Sequence, residues 1–133
     1  MPDLRDLIGI PFLQNGRDPA VGLDCWGLCR EALRRFGRDV PDFPHAVYDA
    51  LEIDAQAATE ARTGRWERID QPEPGCVAAM AVDPDLPGAI THLGVYIGGG
   101  RILHTIQKLN SSLFRLDDRF WGRKIRGYYR WVR

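Results

Sequence analysis

Hydrophobic residues recur at helical spacing in one early segment of the chain. Apolar side chains between Leu28 and Phe36 lie three to four positions apart, with arginines and a glutamate between them. Asp24 is a favourable N-cap and Gly37 a natural stop, so the pattern predicts a helix between these two residues. Alanine-rich residues 53–63 predict a second helix, residues 3–8 predict a short one, and the glycines and prolines of residues 9–23 predict a loop.

The second half of the chain carries extended apolar segments bounded by turn residues. Three consecutive glycines at positions 98–100 separate two of these segments and predict a hairpin. A helix followed by a run of strands is typical of an α+β fold, here an N-terminal helix with an antiparallel sheet of about five strands. The predicted strands are residues 76–82, 91–97, 101–106, 112–116 and 125–132.

Composition narrows the class of protein. The 133 residues suit a single domain over residues 1–133, and 44% hydrophobic with 27% charged residues is ordinary for a soluble globular protein. A net charge of zero argues against nucleic acid as a partner. Residues 115–133 are rich in arginine and form either a solvated basic face or a contact for an anionic polymer or a partner protein.

The chain shows no signal for a membrane or for export. No segment reaches the roughly 18 apolar residues that a membrane-spanning helix needs. The first residues lack the basic region and apolar run of a signal peptide, so we expect synthesis in the cytoplasm. Three cysteines do not suggest a disulfide framework and suit a reducing compartment.

One cysteine occupies a position that favours reactivity. Cys25 directly follows the predicted N-cap, and the positive end of a helix favours a thiolate over a thiol. Gly27 leaves room for another backbone to approach the start of this helix. Cys29, one turn deeper, and Cys76, which opens an apolar strand, are interpreted as core residues. A small buried hydrophobe is the alternative for Cys25 as well.

Two histidines flank the predicted glycine hairpin. If Tyr96 pairs with Gly100, His92 lies opposite His104 on one face of the hairpin, within side-chain reach. Gly94 lies on the same face and has no side chain, so the end of a helix could rest there. The remaining histidine, His45, falls in an irregular segment and is interpreted as a surface residue.

A thiol and two imidazoles that converge can carry out nucleophilic catalysis. The base must reach the thiol and a third group must hold the ring of the base, so we assign Cys25 as nucleophile, His92 as base and His104 as the orienting residue. Zinc is the alternative for the same atoms together with Cys29, but the C-x-x-x-C spacing matches structural zinc sites poorly. We therefore predict no metal and no cofactor.

These residues stand in motifs that resemble the NlpC-type papain-like cell-wall peptidases, over about residues 8–131 of the chain. The resemblance implies a nucleophile helix packed on an antiparallel sheet. It also implies hydrolysis of amide bonds in peptidoglycan stem peptides, often next to D-glutamate and diaminopimelate, with the catalytic roles of Cys25, His92 and His104. The motifs are Gly9-Ile10-Pro11-Phe12, Asp24-Cys25-Trp26-Gly27-Leu28, Pro74-Gly75, and His92-Leu93-Gly94-Val95-Tyr96-Ile97-Gly98 with Ile102-Leu103-His104.

The resemblance also points to residues around the nucleophile. Phe12 stands where the family usually has a tyrosine that helps to hold the oxyanion, and a phenyl ring cannot donate a hydrogen bond. Gln14 is the candidate substitute for that oxyanion donor, in addition to the backbone N–H of Cys25. Asp24 and Trp26, on either side of Cys25, join this oxyanion and substrate-binding set. Asp83 and Asp85, in the loop before His92, either bind a substrate amine or form a solvated loop.

Trp26 and the closing segment from Trp121 to Arg130 are more similar to the branch of this family found in phage tails and gene-transfer particles. This branch implies a protein of a virion or tail that acts at the cell wall, with phage tail proteins as partners besides the peptidoglycan peptide. Two alternatives stay open. One is a structural tail component with the same fold and little catalysis, and the other is a cysteine amidase or acyltransferase on a substrate outside the wall.

Overall fold

A computed structural model describes residues 1–43 and 50–132 of the chain. Two α-helices precede most of the strands: α1 spans Cys25–Arg35 and α2 spans Ala50–Ala61. Short 3-10 turns cover Arg5–Leu7 and Gly122–Lys124. The strands are β1 Arg17–Asp18, β2 Gly22–Leu23, β3 Trp66–Ile69, β4 Val77–Met80, β5 His92–Tyr96, β6 Arg101–His104, β7 Ser112–Arg115 and β8 Ile125–Trp131.

The main sheet is antiparallel and has six strands in the order β3-β8-β4-β5-β6-β7, while β1 and β2 form a separate two-stranded ribbon. The predicted α+β class is therefore confirmed. The sixth strand is β3, which pairs along β8 from Trp66 with Trp131 to Ile69 with Tyr128. The small ribbon lies inside the segment that was predicted to be a loop, where Arg17 pairs with Leu23.

The sheet buries both of its faces. On one face the apolar side of α1, including the fully buried Leu28 and Leu33, packs against Val77, Val95 and Leu103. Burial of a side chain of this size stabilises the fold by about 1.5–3 kcal/mol. On the other face a second cluster contains Met80, Ile102 and Phe114, with Trp121 and Tyr128 partly buried against it. The core therefore fixes α1 against β5 at the centre of the sheet.

The hairpin that carries the two histidines has a different register from the predicted one. Tyr96 pairs with Ile102, and not with Gly100, because Gly98 to Gly100 form a longer turn in which all three glycines have positive φ. The shift is two residues, so both histidines keep the same face but lie diagonally. The space beside Gly94 is filled by Ile102 and Met80 and not by a helix end, since a Cβ there would meet those side chains.

The ends of the predicted elements move by a few residues. The second helix starts earlier than the predicted residues 53–63. It also ends earlier, because its last turn closes at Ala61, ahead of Gly64, which has positive φ. His45 lies outside the described residues. Within the described ranges, neither helix has the length and apolar character that crossing a bilayer requires.

Candidate active site

The N-terminus of α1 presents Cys25 as its first residue. Asp24 is the N-cap, and its Oδ1 atom accepts a hydrogen bond from the backbone N–H of Gly27 at 2.8 Å. A capping side chain of this kind satisfies one of the helix N–H groups that have no intrahelical acceptor. The cap predicted from the sequence is confirmed. It places the thiol of Cys25 where the helix dipole favours negative charge.

Asp24 is buried and its carboxylate is held from three sides. The N–H of Asn15 donates to Oδ2 at 3.1 Å, and Nη1 of Arg17 donates to Oδ1 at 2.6 Å. The Nε atom of Arg17 also donates to Asp42 at 2.8 Å. Arg17 therefore places a positive charge beside a carboxylate that would otherwise oppose a thiolate on Cys25. The sequence predicts Asp24 as a member of the substrate-binding set. In the structure its carboxylate caps α1 and forms an ion pair with Arg17, so it has a structural role.

Gly27 is the point of close approach that the sequence suggested. A Cβ at this position would overlap the carbonyl oxygen of Gly16 and would also lie close to the Arg17 side chain and Asp24. The loop before α1 is thus packed directly on the first turn of the helix. This contact fixes the position of the loop that leads into Cys25.

His92 and His104 are in direct contact. Nε2 of His92 lies 3.0 Å from Nδ1 of His104, and the two side chains are almost completely buried. Two nitrogens at this distance share one proton, so one ring donates to the other. The contact uses Nε2 of His92 and therefore directs the Nδ1 atom of that ring to a different partner.

Aromatic residues enclose the histidine pair. The ring of Trp121 lies 4.6 Å from that of His104 and 6.1 Å from that of His92, measured between centroids. Phe114 packs edge-on against His104 at 4.8 Å. Sequence reasoning gave Trp121 no role at the site. Its side chain reaches the site from a turn far along the chain, and no local pattern carries that information.

This apolar enclosure changes the acidity of both rings. Burial, and to a smaller extent the neighbouring His104, together lower the pKa of His92 from 6.5 to about 3. Burial also lowers the pKa of His104 to about 4. A histidine that is neutral at physiological pH can accept a proton, which is the state that a general base requires.

A cavity of about 170 Å³ lies beside Cys25. It is enclosed by the start of α1, one side of α2, and strands β3, β4, β5 and β8. Leu93, the neighbour of His92 in β5, shares its wall with Cys25, and so does Trp26, whose Nε1 atom donates to the carbonyl of Pro41 at 3.0 Å. The sequence singled out Trp26 but not the residues of α2, because the contact between α2 and the sheet leaves no local signal.

Four predicted site residues lie away from this cavity. Phe12 is partly buried and forms a parallel bridge with Leu23, which places it alongside the segment that enters α1. Gln14 is exposed. In the loop before β5, Asp83 accepts from the N–H of Asp85 at 2.9 Å, an arrangement that stabilises the loop itself. None of the four is among the residues that line the cavity.

The other two cysteines are fully buried, as predicted. Burial raises the pKa of the Cys76 thiol to about 11 and raises that of Cys29 well above its ordinary value. Both are therefore poor nucleophiles at neutral pH. Within the described parts of the chain, histidine, cysteine and acidic side chains form no cluster of three or more suited to a metal ion.

The sequence model of the NlpC/P60 family matches residues 9–130. The chain belongs to the NlpC/P60 family. Among solved structures, the NlpC/P60 fold is shared with a lipoprotein of this family from Staphylococcus aureus, with a TM-score of 0.66 and 20% identity over 98% of this chain and 39% of that one.

The NlpC/P60 domain of the peptidoglycan hydrolase SagA has a TM-score of 0.61 and 20% identity over 95% of this chain and 91% of that one. The structural matches establish the NlpC/P60 fold.

Two curated relatives come from Bacillus subtilis strain 168. The gamma-D-glutamyl-L-lysine dipeptidyl-peptidase is 28% identical over 74% of this chain and 28% of its own length. The gamma-DL-glutamyl hydrolase is 24% identical over 92% of this chain and 26% of its own length. The chain spans about a quarter of the length of these two relatives.

Proposed function

We propose that this chain is a cysteine peptidase that hydrolyses amide bonds in peptidoglycan stem peptides. The observation that carries the proposal is the 3.0 Å contact between His92 and His104, formed on the strands next to the helix that begins at Cys25. Membership of the NlpC/P60 family supports it, as do relatives that are named as a dipeptidyl-peptidase and a hydrolase of glutamyl bonds.

In the proposed reaction, Nδ1 of His92 takes the proton of the Cys25 thiol and the thiolate attacks the amide carbonyl. His92 then protonates the leaving amine, and water hydrolyses the thioester that remains on Cys25. His104 holds Nε2 of His92 and thereby keeps Nδ1 in position. Because burial opposes charge on His92, the charged pair depends on the dipole of α1 and on mutual attraction between thiolate and imidazolium.

The first turn of α1 also supplies donors for the oxyanion. The backbone N–H of Cys25 belongs to the helix end whose N–H groups lack intrahelical acceptors, so it is suited to a developing negative charge. Phe12 lacks the hydroxyl that the resemblance leads one to expect, and this places more of the oxyanion stabilisation on backbone groups.

Digestion of purified peptidoglycan tests the proposal. We expect the wild-type protein to release cleaved stem peptides, detected by mass spectrometry, and Cys25→Ala to release none. Cys29→Ala is the matched control, since Cys29 lies one helical turn away and is buried in the core. Release that survives the loss of Cys25 would contradict the proposal.

Alkylation of Cys25 reports on the proposed ion pair without a substrate. We expect iodoacetamide to label Cys25 well below the ordinary thiol pKa of about 8.5, and His92→Ala to shift the labelling to higher pH. Interference from Cys29 and Cys76 is small because burial raises the pKa of both thiols. Labelling that follows an ordinary thiol in both proteins would mean that the triad is not assembled.

The finer assignment concerns the bond and the biological setting. We propose cleavage beside D-glutamate and diaminopimelate, and an origin in a phage or prophage tail assembled in the cytoplasm. Trp26 and the segment from Trp121 to Arg130 support the second point by their resemblance to tail-associated members. Mass spectrometry of released fragments identifies the bond. Detection of the protein in purified tail particles tests the setting, and its consistent absence there argues against a tail role.

One observation favours a second candidate function. Phe12 removes an oxyanion donor, which supports a structural tail component that keeps the fold and has little catalysis. An inert Cys25 together with incorporation into tail particles is the expected result for this candidate. A reactive thiolate and released stem peptides exclude it.

A further inference from the structure

The proposed reaction makes no use of the arginine-rich segment near the end of the chain. Three exposed arginines meet where β3 and β8 lie side by side: Arg68 on β3, Arg123 in the second 3-10 turn, and Arg126 near the start of β8. Nη2 of Arg68 donates to the carbonyl of Arg126 at 3.1 Å, and Nη1 of Arg126 donates to the carbonyl of Arg123 at 2.6 Å. The three residues therefore form a connected arginine row.

The backbone of β8 exposes Arg126 and makes room for Arg68. Gly127 and Ile125 pair with consecutive residues of β4, so Arg126 is an extra residue in the strand. A β-bulge of this kind re-aims a side chain out of the regular alternation of a sheet. A Cβ on Gly127 would lie only 3.3 Å from Cζ of Arg68, so the missing side chain lets that guanidinium rest on the strand. The position of the arginine row is thus set by the sheet.

The arginine row lacks acidic partners. Among residues 1–43 and 50–132, none of its members forms an ion pair with a carboxylate. The carboxylates of the preceding turn are engaged elsewhere: Asp117 pairs with Arg115 at 3.0 Å, and Asp118 accepts from the backbone N–H groups of Phe120 and Trp121. Because the whole chain has a net charge of zero, the row is a local concentration of positive charge.

The chemistry of the row favours phosphate groups on a chain. A guanidinium presents its N–H donors in a fixed fork that matches the oxygens of phosphate. Arg68 and Arg126 use one terminal nitrogen each on backbone carbonyls and keep the other for a ligand. A membrane surface suits the region less well, because the exposed ring of Phe120 already has the ammonium of Lys124 over it at 4.9 Å, and insertion into lipid needs a larger apolar face.

We infer that the arginine row is a binding surface for a linear phosphodiester polymer, with successive phosphate groups on Arg68, Arg126 and Arg123. The binding itself is independent of the proposed peptidase function. The source of the polymer, an anionic component of the cell wall, rests on that function. The surface holds the protein on the wall while the catalytic residues act on the peptides.

Titration of poly(glycerol phosphate) into the wild-type protein, followed by calorimetry at several salt concentrations, tests the surface. For three phosphate contacts we expect the logarithm of the association constant to fall with the logarithm of salt concentration with a slope of about −2, since each contact on a single-stranded polyanion contributes about 0.7. Arg126→Gln should reduce the slope by about 0.7 and weaken binding severalfold. Arg126→Lys keeps the charge and should keep the slope.

Arg5→Gln is the matched control, because it removes the same charge from another exposed arginine, which pairs with Asp3 in the first 3-10 turn. It should leave the affinity and the slope unchanged. No binding by the wild type, or equal effects of Arg5→Gln and Arg126→Gln, would overturn the surface. Binding at least as tight to poly-L-glutamate would overturn the preference for phosphate. Binding at least as tight to duplex DNA or to phosphatidylglycerol vesicles would overturn a wall polymer as the ligand.

A second readout separates this surface from the proposed peptidase. We expect wild type and Arg126→Gln to release stem peptides at the same rate from peptidoglycan that has been stripped of anionic polymers. Intact release without polymer binding would overturn the arginine row alone. Polymer binding that depends on Arg126, in a protein that releases no stem peptide, would support the row and overturn the peptidase.

Discussion

His104 and His92 share a single proton across 3.0 Å in an apolar enclosure. A neutral imidazole can hold another imidazole only when its own tautomer is set, because each ring has one donor and one acceptor. The indole of Trp121 and the phenyl ring of Phe114 pack against the pair. The orientation of His92 therefore depends on His104 more than it would in a solvated site, where water could replace the partner.

Substitution of His104 tests this dependence. We expect His104→Ala to lower kcat by about 10- to 100-fold, because a lost hydrogen bond to a group that becomes charged costs about 1.5–3 kcal/mol. His104→Asn keeps an acceptor for His92 and should recover most of the rate, with KM unchanged in both variants. Steady-state kinetics on stem peptides gives the answer. Equal loss in both variants would indicate a packing role for His104 in place of a positioning role.

Substitution of Phe12 is expected to raise kcat, whereas loss of His104 lowers it. Phe12 lies alongside Leu23, two residues before the nucleophile, and cannot donate a hydrogen bond. We expect Phe12→Tyr to raise kcat by up to about 10²-fold, since this is the size of the effect of one oxyanion donor, with little change in KM. Phe12→Leu is the control and should not exceed the wild type. A tyrosine variant no faster than wild type would show that the backbone already stabilises the oxyanion.

At the scale of elements, the start of α1 is held by charge as well as by its cap. Arg17 reaches from β1 to Asp24 and also donates to the carbonyl of Gly16 at 2.7 Å, so one side chain joins the ribbon, the preceding loop and the helix. The side chain of Asp24 is 3% exposed, and that of Arg17 is 21% exposed. Removing the carboxylate therefore leaves a largely buried arginine with one of its acidic partners missing.

We expect Asp24→Ala to lower the free energy of unfolding by about 2–4 kcal/mol, which combines a lost N-cap with a broken, mostly buried ion pair. Asp24→Asn keeps a capping oxygen and should cost less than half of this. Chemical denaturation at neutral pH measures both. Equal destabilisation by the two substitutions would mean that the charge, and not the cap, determines the stability of this helix start.

The helix and the hairpin were predictable because their signals are local. Asp24 and Gly37 mark the limits of α1, and the glycines at positions 98–100 mark the turn between the two histidines. The predicted register of that hairpin was wrong, because three residues with positive φ allow more than one turn length. Its consequence for the site was small, since a shift of two residues preserves the face of every side chain.

Other parts of the site had no local signal. Strand β3 is four residues long and is defined by pairing with β8, some sixty positions later. Arg17 and Trp121 gain their roles at the site only after distant segments have packed together. The approach of α2 to the sheet creates the cavity, and the moderate amphipathic pattern of an alanine-rich helix does not specify which surface it covers.

At the scale of the whole molecule, two buried neutral histidines link folding to pH. In the unfolded chain both rings titrate near 6.5, whereas in the folded protein burial lowers the pKa of His104 to about 4 and that of His92 to about 3. As the pH falls below 6.5, the unfolded state binds protons that the folded state does not accept. Stability is therefore fully present above about pH 6.5 and is lost as the pH falls towards 4.

We expect the free energy of unfolding to decrease through this window by at most about 1.4 kcal/mol per pH unit for each histidine. Carboxylates paired with arginine, such as Glu31 and Asp117, have a lowered pKa and lose their contribution only at more acidic pH. Urea unfolding in small pH steps from 7.5 to about 4.5 therefore follows the histidine contribution before these carboxylates titrate. His104→Asn removes one titrating ring and should reduce the slope between about pH 6.5 and 4.5 by roughly half. A wild-type profile that is flat over this interval, or a slope that the substitution leaves unchanged, would show that the histidine pair is protonated or solvated in the folded protein.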